Sequence, residues 1–273
     1  MIRLGQHGLK PPQIPRVVID PESPWKLRRT FATYGGSYTM PPSEWRALLA
    51  RAEAGDGMAE WEVSGRYEDG CKDKSGRVLL KRSPRKAAEW LKRSAEHGCT
   101  PAQNALGVLL GRRNSSRKNT RSALEWLGRA FRAGDTLAAH NIATTHRENG
   151  NLKKAAQWFR KSTGDGDSLI QLGIHYYWGK GIRMDAAAAV RCFRRAMKEN
   201  ICEAGKDDAF FYLGIAYLEG KGVSRSLPTA KKMLQRADID GDHPPARRLL
   251  RHLMKISDYV SSPTKMRLTH GNR

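Results

Sequence analysis

The stretch from Leu213 to Gly241 constrains this chain more than any other. It reads LGIAYLEGKGVSRSLPTAKKMLQRADIDG. Apolar residues fall at helical spacing in two runs, with a Gly-Lys-Gly break between them. Versions of it recur upstream: LGIHYYWGKGIRMDAAAAVRCFRRAMKEN at 172–200, and ALGVLLG followed by SALEWLGRAFRAG around 105–134. One helix–turn–helix unit is therefore repeated along the chain. Such a unit cannot bury its apolar face alone and does so by stacking on its neighbours.

Aligning the second helices gives five units in one register. Trp90, Trp126, Trp158, Cys192 and Met233 share a slot. Three residues earlier stand Ala87, Ala123, Ala155, Ala189 and Ala230; four residues later stand Ser94, Ala130, Ser162, Ala196 and Ala237. These positions share one helical face. The large residue is expected to fill the gap between helices, and the small ones to let backbones approach. Eight residues on come Gly98, Gly134, Gly166, Asn200 and Gly241, which suit a left-handed helix stop. In the first helices Ser64, Gly107, Ala143, Gly173 and Gly214 form a small-residue slot, followed three residues on by Tyr67, Leu110, His146, Tyr176 and Tyr217. His146 reads as a packed core residue. Thr100 to Gln103 reads as a capping box, Asp135 and Asp167 as N-caps, and Ser83-Pro84 as a helix start.

These residues resemble the Sel-one-like repeat family (SLR), a relative of the tetratricopeptide repeat. Leu213, Gly214, Tyr217, Gly220, Gly222 and Val223 match the first half of its pattern, as do Leu172, Gly173, Tyr176, Gly179, Gly181 and Ile182. Lys86, Ala87, Trp90, Lys92, Ala95 and Gly98 match the second half. The middle unit departs from it: HRENGNLKKAAQWFRK has the short turn of a tetratricopeptide unit. The resemblance covers roughly residues 44–256. It implies an all-α fold, a right-handed α-solenoid of about five to six repeats, and a protein–protein interaction scaffold. Members act as adaptors in signalling and assembly, and bacterial members include immunity proteins that neutralise a toxin.

The remaining segments follow from that frame. Residues 1–42 are Pro- and Gly-rich and read as an irregular arm, with Trp25, Phe31, Tyr34 and Tyr38 either packing on the first helices or left in an unordered leader. Ser43 is expected to cap a lone helix through WRALLARAEAG, a half-unit closing the array. The solenoid spans 43–256. A second half-unit begins at His243-Pro244-Pro245, and 257–273 reads as a flexible basic tail.

The N-terminal stretch lacks an apolar run long enough for a signal peptide, and no stretch approaches a membrane span. The first nineteen residues carry Arg3, Lys10 and Arg16 and no acid, but three prolines break the helix an import signal needs. A cytoplasmic location is the expectation. Cys71, Cys99, Cys192 and Cys202 form no CxxC pair and have no accompanying histidine cluster, so neither a zinc site nor another metal site is expected. That cysteine usage suits a reducing compartment.

The Gly-Lys-Gly turns at 179–181 and 220–222 are not phosphate loops, because no strand precedes them and no Ser or Thr follows the lysine. There is no nucleophile elbow, no His-Glu-x-x-His and no spaced carboxylate pair in apolar sequence. A non-enzymatic chain without a cofactor or small-molecule substrate is the expectation.

Binding remains, and charge points to the partner. The formal net charge is +22, which favours an acidic protein, nucleic acid or an anionic membrane face, or else a solvated basic surface with no partner. Two insertions between helices concentrate basic residues: Cys71 to Lys86, with Lys81, Arg82 and Arg85, and Gly111 to Arg121, with Arg112, Arg113, Arg117, Lys118 and Arg121. Equivalent loops of consecutive units lie on one edge of a solenoid, so these are expected either to form one docking patch or to remain solvated loops. His175 and Tyr177 are candidates for the concave surface, with packing in the core as the favoured alternative for His175. Against nucleic acid stands the placement of the aromatics in repeat core slots rather than beside the basic residues, where bases would stack.

Overall fold

The two-helix unit is the repeating element of the computed structural model, which describes residues 38–111, 116–162, 164–198 and 203–261. β1 (Tyr38–Thr39) and α1 (Pro42–Glu53) lead into five units. In the first, α2 (Gly57–Asp69) is joined to α3 (Pro84–Glu96) through β2 (Cys71–Lys72) and β3 (Val78–Leu80). The others are α4 (Thr100–Leu110) with α5 (Arg117–Arg132), α6 (Leu137–Glu148) with α7 (Leu152–Lys161), α8 (Gly166–Trp178) with α9 (Ala186–Ala196), and α10 (Glu203–Glu219) with α11 (Leu227–Ala237). α12 (Pro244–Ser261) follows. The chain is an all-α solenoid carrying one small sheet. Each second helix also packs on the next first helix, and α4 meets α6 and α8 meets α10 directly. The first helices thus line the inner side of the array.

The gap within each unit is filled one residue later than the sequence pattern suggested. Leu91, Leu127, Phe159, Phe193 and Leu234 are the buried residues, while Trp90, Trp126, Trp158, Cys192 and Met233 are only partly buried. The alanine slot and the small slot after it are buried as expected. In four units the buried Leu or Phe faces the small slot of the first helix, Phe159 packing with Ala143 in one of them. A methyl group on Gly107 would lie 2.5 Å from Leu127 Cγ, one on Gly173 2.5 Å from Phe193 Cε1, and one on Gly214 2.8 Å from Leu234 Cγ. In the first unit Ser64 Oγ instead donates to the Ala87 carbonyl at 2.8 Å.

The Gly-Lys-Gly turns are structural too. Gly179 and Gly220 end their helices with φ of +67° and +68°, and Gly181 and Gly222 are again left-handed. A methyl on Gly222 would come within 2.2 Å of the Ala186 carbonyl oxygen, so this turn rests on the start of the previous unit's second helix.

Several expected caps differ. α1 begins at Pro42 behind Pro41, not at Ser43. Thr100 is the first residue of α4, and Gln103 Nε2 donates to the Ala95 carbonyl rather than closing a capping box. Asp165, not Asp167, caps α8 by accepting from the Ser168 amide. Gly166 opens that helix instead of stopping α7. Asp135 accepts from the Leu137 amide at 2.9 Å, but Thr136 is the residue at the N-cap of α6.

The first insertion is ordered as a hairpin. β2 pairs antiparallel with β3 and parallel with β1. Its turn is held by Asp73, whose carboxylate accepts from Ser75 N, Ser75 Oγ and Arg77 N, the behaviour that favours Asp in turns. The strand at Tyr38–Thr39 and the continuation of α12 to Ser261 extend regular structure beyond the expected 43–256. The rest of the arm and tail lies outside the described residues.

Substituting Gly222 by Ala should destabilise far more than the same change at Gly98, since both have positive φ but only Gly222 is pressed on backbone. Urea unfolding should show a loss of about 3 kcal/mol or more against about 1 kcal/mol.

Candidate functional site

The ten candidate binding residues separate into three groups. Lys81, Arg82 and Arg85 are exposed around the start of α3. Arg82 Nε donates to the Glu68 carbonyl at 2.8 Å, and Arg85 lies 3.7 Å from Glu89. Arg117, Lys118 and Arg121 are exposed on the first turns of α5 rather than in a loop, because the helix starts four residues before Arg121. Arg112 and Arg113 lie outside the described residues. His175 and Tyr177 do not face the concave surface: they are 3% and 2% exposed. His175 donates from Nδ1 to the Lys180 carbonyl at 2.6 Å, holding the Gly-Lys-Gly turn. Burial, with the charges of Arg147 and Lys180, keeps its pKa below the ordinary value against that hydrogen bond. Tyr177 donates to Glu219 at 2.9 Å, and burial beside that carboxylate pushes its phenol upward.

The basic character is organised by helix rather than by loop. The five second helices carry nineteen lysines and arginines (four in α3, five in α5, four in α7, three each in α9 and α11) against three glutamates. The five first helices carry three lysines and arginines against ten acids. The outer side of the array is thus strongly positive and the inner side mildly negative. Three outer cations cover a tryptophan: Arg93 over Trp90 at 4.9 Å, Arg129 over Trp126 at 4.4 Å and Lys161 over Trp158 at 4.3 Å. Aromatics therefore do sit beside basic residues, contrary to expectation, and the repeat register places each cation three residues after its ring.

On the inner side, α2, α4 and α6 enclose a groove of about 800 Å³. Trp61, Ala105, Val108 and Leu137 give it apolar walls, and Asn104, Asp135, His140, Asn141, Thr144 and Glu148 give it polar ones. Its polar groups are ordered in a chain: Asn141 Nδ2 donates to Asn104 Oδ1 at 2.7 Å, and Asn104 Nδ2 donates to Asp135 Oδ2 at 2.7 Å. His140 Nδ1 lies 2.9 Å from Asp165 and 2.8 Å from Ser168 Oγ. Burial raises the Asp165 pKa, but the His140 hydrogen bond and charge, with the Ser168 hydroxyl and amide, overcome this and bring it to about 2. The groove escaped the sequence reading, although a signal existed. Asn104 and His140 hold the slot that Trp61, Ile170 and Phe211 fill in the other units, so polar residues stand where the repeat elsewhere is apolar.

No helix among the described residues is long and apolar enough to cross a membrane. A sequence model of the family described as Sel1 repeat matches residues 75–99, 100–135, 138–167, 166–200 and 208–237. Among solved structures, the chain is similar to a protective antigen of uropathogenic Escherichia coli strains displaying an SLR fold. The TM-score is 0.63 at 25% identity, covering 76% of this chain and 43% of that one. A Sel1 repeat protein from Oxalobacter formigenes gives a TM-score of 0.54 at 24% identity, covering 70% of this chain and 74% of that one. This chain thus spans less than half of the first of these structures. No curated protein matches.

Because the folded Asp165 pKa is depressed, its stabilisation is present above about pH 4 and is lost as pH falls toward 2. Asp165→Asn, which keeps a capping side chain, should cost about 2 kcal/mol at pH 7. The difference from the parent protein should shrink below pH 4, read from urea midpoints across pH.

Proposed function

The chain belongs to the Sel1 repeat family, whose members generally act as protein–protein interaction scaffolds, and we propose that it is a non-enzymatic scaffold docking an acidic protein on its second helices. The observation that carries this is the sorting of charge by helix: nineteen basic residues on the outer helices against three acids. Cations repeated along a rigid array raise the local concentration of an acidic partner and orient it on approach. Those stacked on Trp126 and Trp158 are already held in place, so less side-chain freedom is lost when the partner binds.

The most specific form of this reading is toxin neutralisation of the immunity-protein kind, with the basic face masking an acidic toxin surface in the cytoplasm. It is supported by the family resemblance and by the charge, and it is a narrower case of the same docking. Nucleic acid is the competing polyanion. One face of each outer tryptophan is occupied by the chain's own cation, which favours the protein reading because bases need open rings on which to stack.

The test is an affinity capture from native cells with nuclease treatment and a salt series, run beside the triple variant Arg117→Glu, Lys118→Glu, Arg121→Glu. The parent should retain a stoichiometric acidic protein after nuclease. The variant should capture it at least tenfold more slowly at low salt, with unchanged helicity. Recovery of nucleic acid alone, lost at moderate salt, would sink the reading. Loss of a toxic activity in the captured partner would establish the immunity form.

A further inference from the structure

We propose that two seams between units, where Arg160 meets Tyr176 and Arg194 meets Tyr217, are paired carboxylate sites that take the acidic side chains of the partner's docking segment. This rests on the outer-face reading and adds where on that face the partner is held. At each seam the arginine of one unit reaches the tyrosine of the next. Arg160 Nη2 of α7 donates to the Tyr176 hydroxyl of α8 at 2.9 Å, and Arg194 Nη2 of α9 donates to the Tyr217 hydroxyl of α10 at 3.0 Å. Both arginines are exposed and both tyrosines are partly exposed. Arginine and tyrosine coincide at these two seams; the same positions hold Lys92 with Leu110 at one earlier seam and Gly128 with His146 at the next.

The donor count makes each pair more than a point charge. A tyrosine hydroxyl can accept through its lone pairs and still donate its own proton. Accepting from a guanidinium strengthens it as a donor. The guanidinium has five N–H donors on a planar fork, and its bond to the tyrosine uses one. An O–H and further N–H donors thus stand side by side, and the two oxygens of a carboxylate can take a bond from each. Arg160 also lies over the Tyr176 ring, 6.0 Å from its centre, so its fork is already placed and less freedom is lost on binding. The surroundings are cationic. α7, α9 and α11 carry ten lysines and arginines (four, three and three) and no acid. The glutamates of α3 and α5 instead each have a basic residue of their own helix at 3.7 Å: Arg85 for Glu89, Lys92 for Glu96 and Arg121 for Glu125. Arg191, Arg195 and Arg160 all exert their charge on the Cys192 thiol, which places them around one point of the outer side. Asp185, the acid felt at that point, is committed to the Ala188 amide at 2.8 Å as the N-cap of α9. Two like sites one unit apart on a rigid array hold two carboxylates of one segment more tightly than either site holds one.

The probe is a labelled synthetic peptide alternating Gly and Glu, titrated against the full chain and followed by fluorescence anisotropy. The double variant Tyr176→Phe, Tyr217→Phe removes two hydroxyls and no charge. It should weaken the peptide about tenfold, the effect expected for losing hydrogen bonds to a charged group. A surface that attracts by charge alone would not register this change. Arg160→Gln with Arg194→Gln should weaken binding more than tenfold, against about threefold for Lys153→Gln with Lys232→Gln, which removes the same charge from exposed positions of α7 and α11. Circular dichroism and urea midpoints check that each variant folds. Unchanged affinity in the tyrosine variant would overturn the proposal, and so would equal losses in the two charge-removing pairs, should the tyrosine variant fail to fold. Displacement of the peptide by inorganic phosphate, but not by chloride at equal ionic strength, would also overturn it, since the seams would then prefer a phosphoryl group. The outer-face reading is judged separately by capture of an acidic protein from native cells, and charge alone can sustain that capture if these seams prove inert.

Discussion

The structure depends on one contact repeated in four of the five units: a large apolar side chain of the second helix seated on a small residue of the first. Leu127 on Gly107, Phe193 on Gly173 and Leu234 on Gly214 leave no room for a methyl group between them. Such a contact fixes both the separation of the two helices and their register, because interiors are close-packed and a shift of one residue would bring a side chain where only hydrogen fits. Ser64 shows the same constraint met differently, its hydroxyl bonded to the Ala87 carbonyl on the facing helix. The Gly-Lys-Gly turns carry register from unit to unit, through Gly181 on Leu152 and Gly222 on Ala186.

That packing also sorts the charge. A first helix lies between its own second helix and the one before it, so most of its circumference is buried. In α8, ten of the thirteen residues from Gly166 to Trp178 are buried. Long cationic side chains are costly in such a place unless paired. Second helices keep a solvated outer side, where lysine and arginine are tolerated. The overall positive charge, weak as a functional clue by itself, thus becomes a surface with a direction. Where inner acids are buried they are paired: Glu60 of α2 meets Arg93 at 2.5 Å and His97 at 2.7 Å. Arg93 in turn donates to the Ala52 and Glu53 carbonyls at the end of α1. This network ties the leading helix to the first unit, and removing one member would leave a buried charge uncompensated.

The array is not uniform. From α8 onward the inner slots are filled by Ile170, Ile174, Phe211 and Ile215, which join a large buried cluster reaching α12. In α4 and α6 the same slots hold Asn104, Val108, His140 and Thr144, and the inner side opens into the groove. The change accompanies the unit whose turn is the short Asn149-Gly150 type.

The sequence by itself determined the repeat, its five-unit register and the all-α class, because a small residue recurring at helical spacing is legible without coordinates. Its reading of the caps was partly wrong, since a helix boundary depends on which of several nearby polar side chains reaches the free amide, as Asp165 does before Asp167 can. It named Trp90 and its equivalents as the filling residues because tryptophan is the conspicuous member of the pattern. Only packing decided that the adjacent Leu or Phe turns inward, since a rotation of one residue about a helix axis leaves periodicity almost unchanged. Likewise the sequence left His175 and Tyr177 open between the concave surface and the core. Tertiary structure buried them, because Phe159 of the preceding unit packs on His175, Glu219 of the next unit meets Tyr177, and the turn at Lys180 offers His175 its partner. The groove and the charged faces were decided at that level too. They arise where residues distant in sequence are stacked side by side, and stacking is what a single unit cannot do alone.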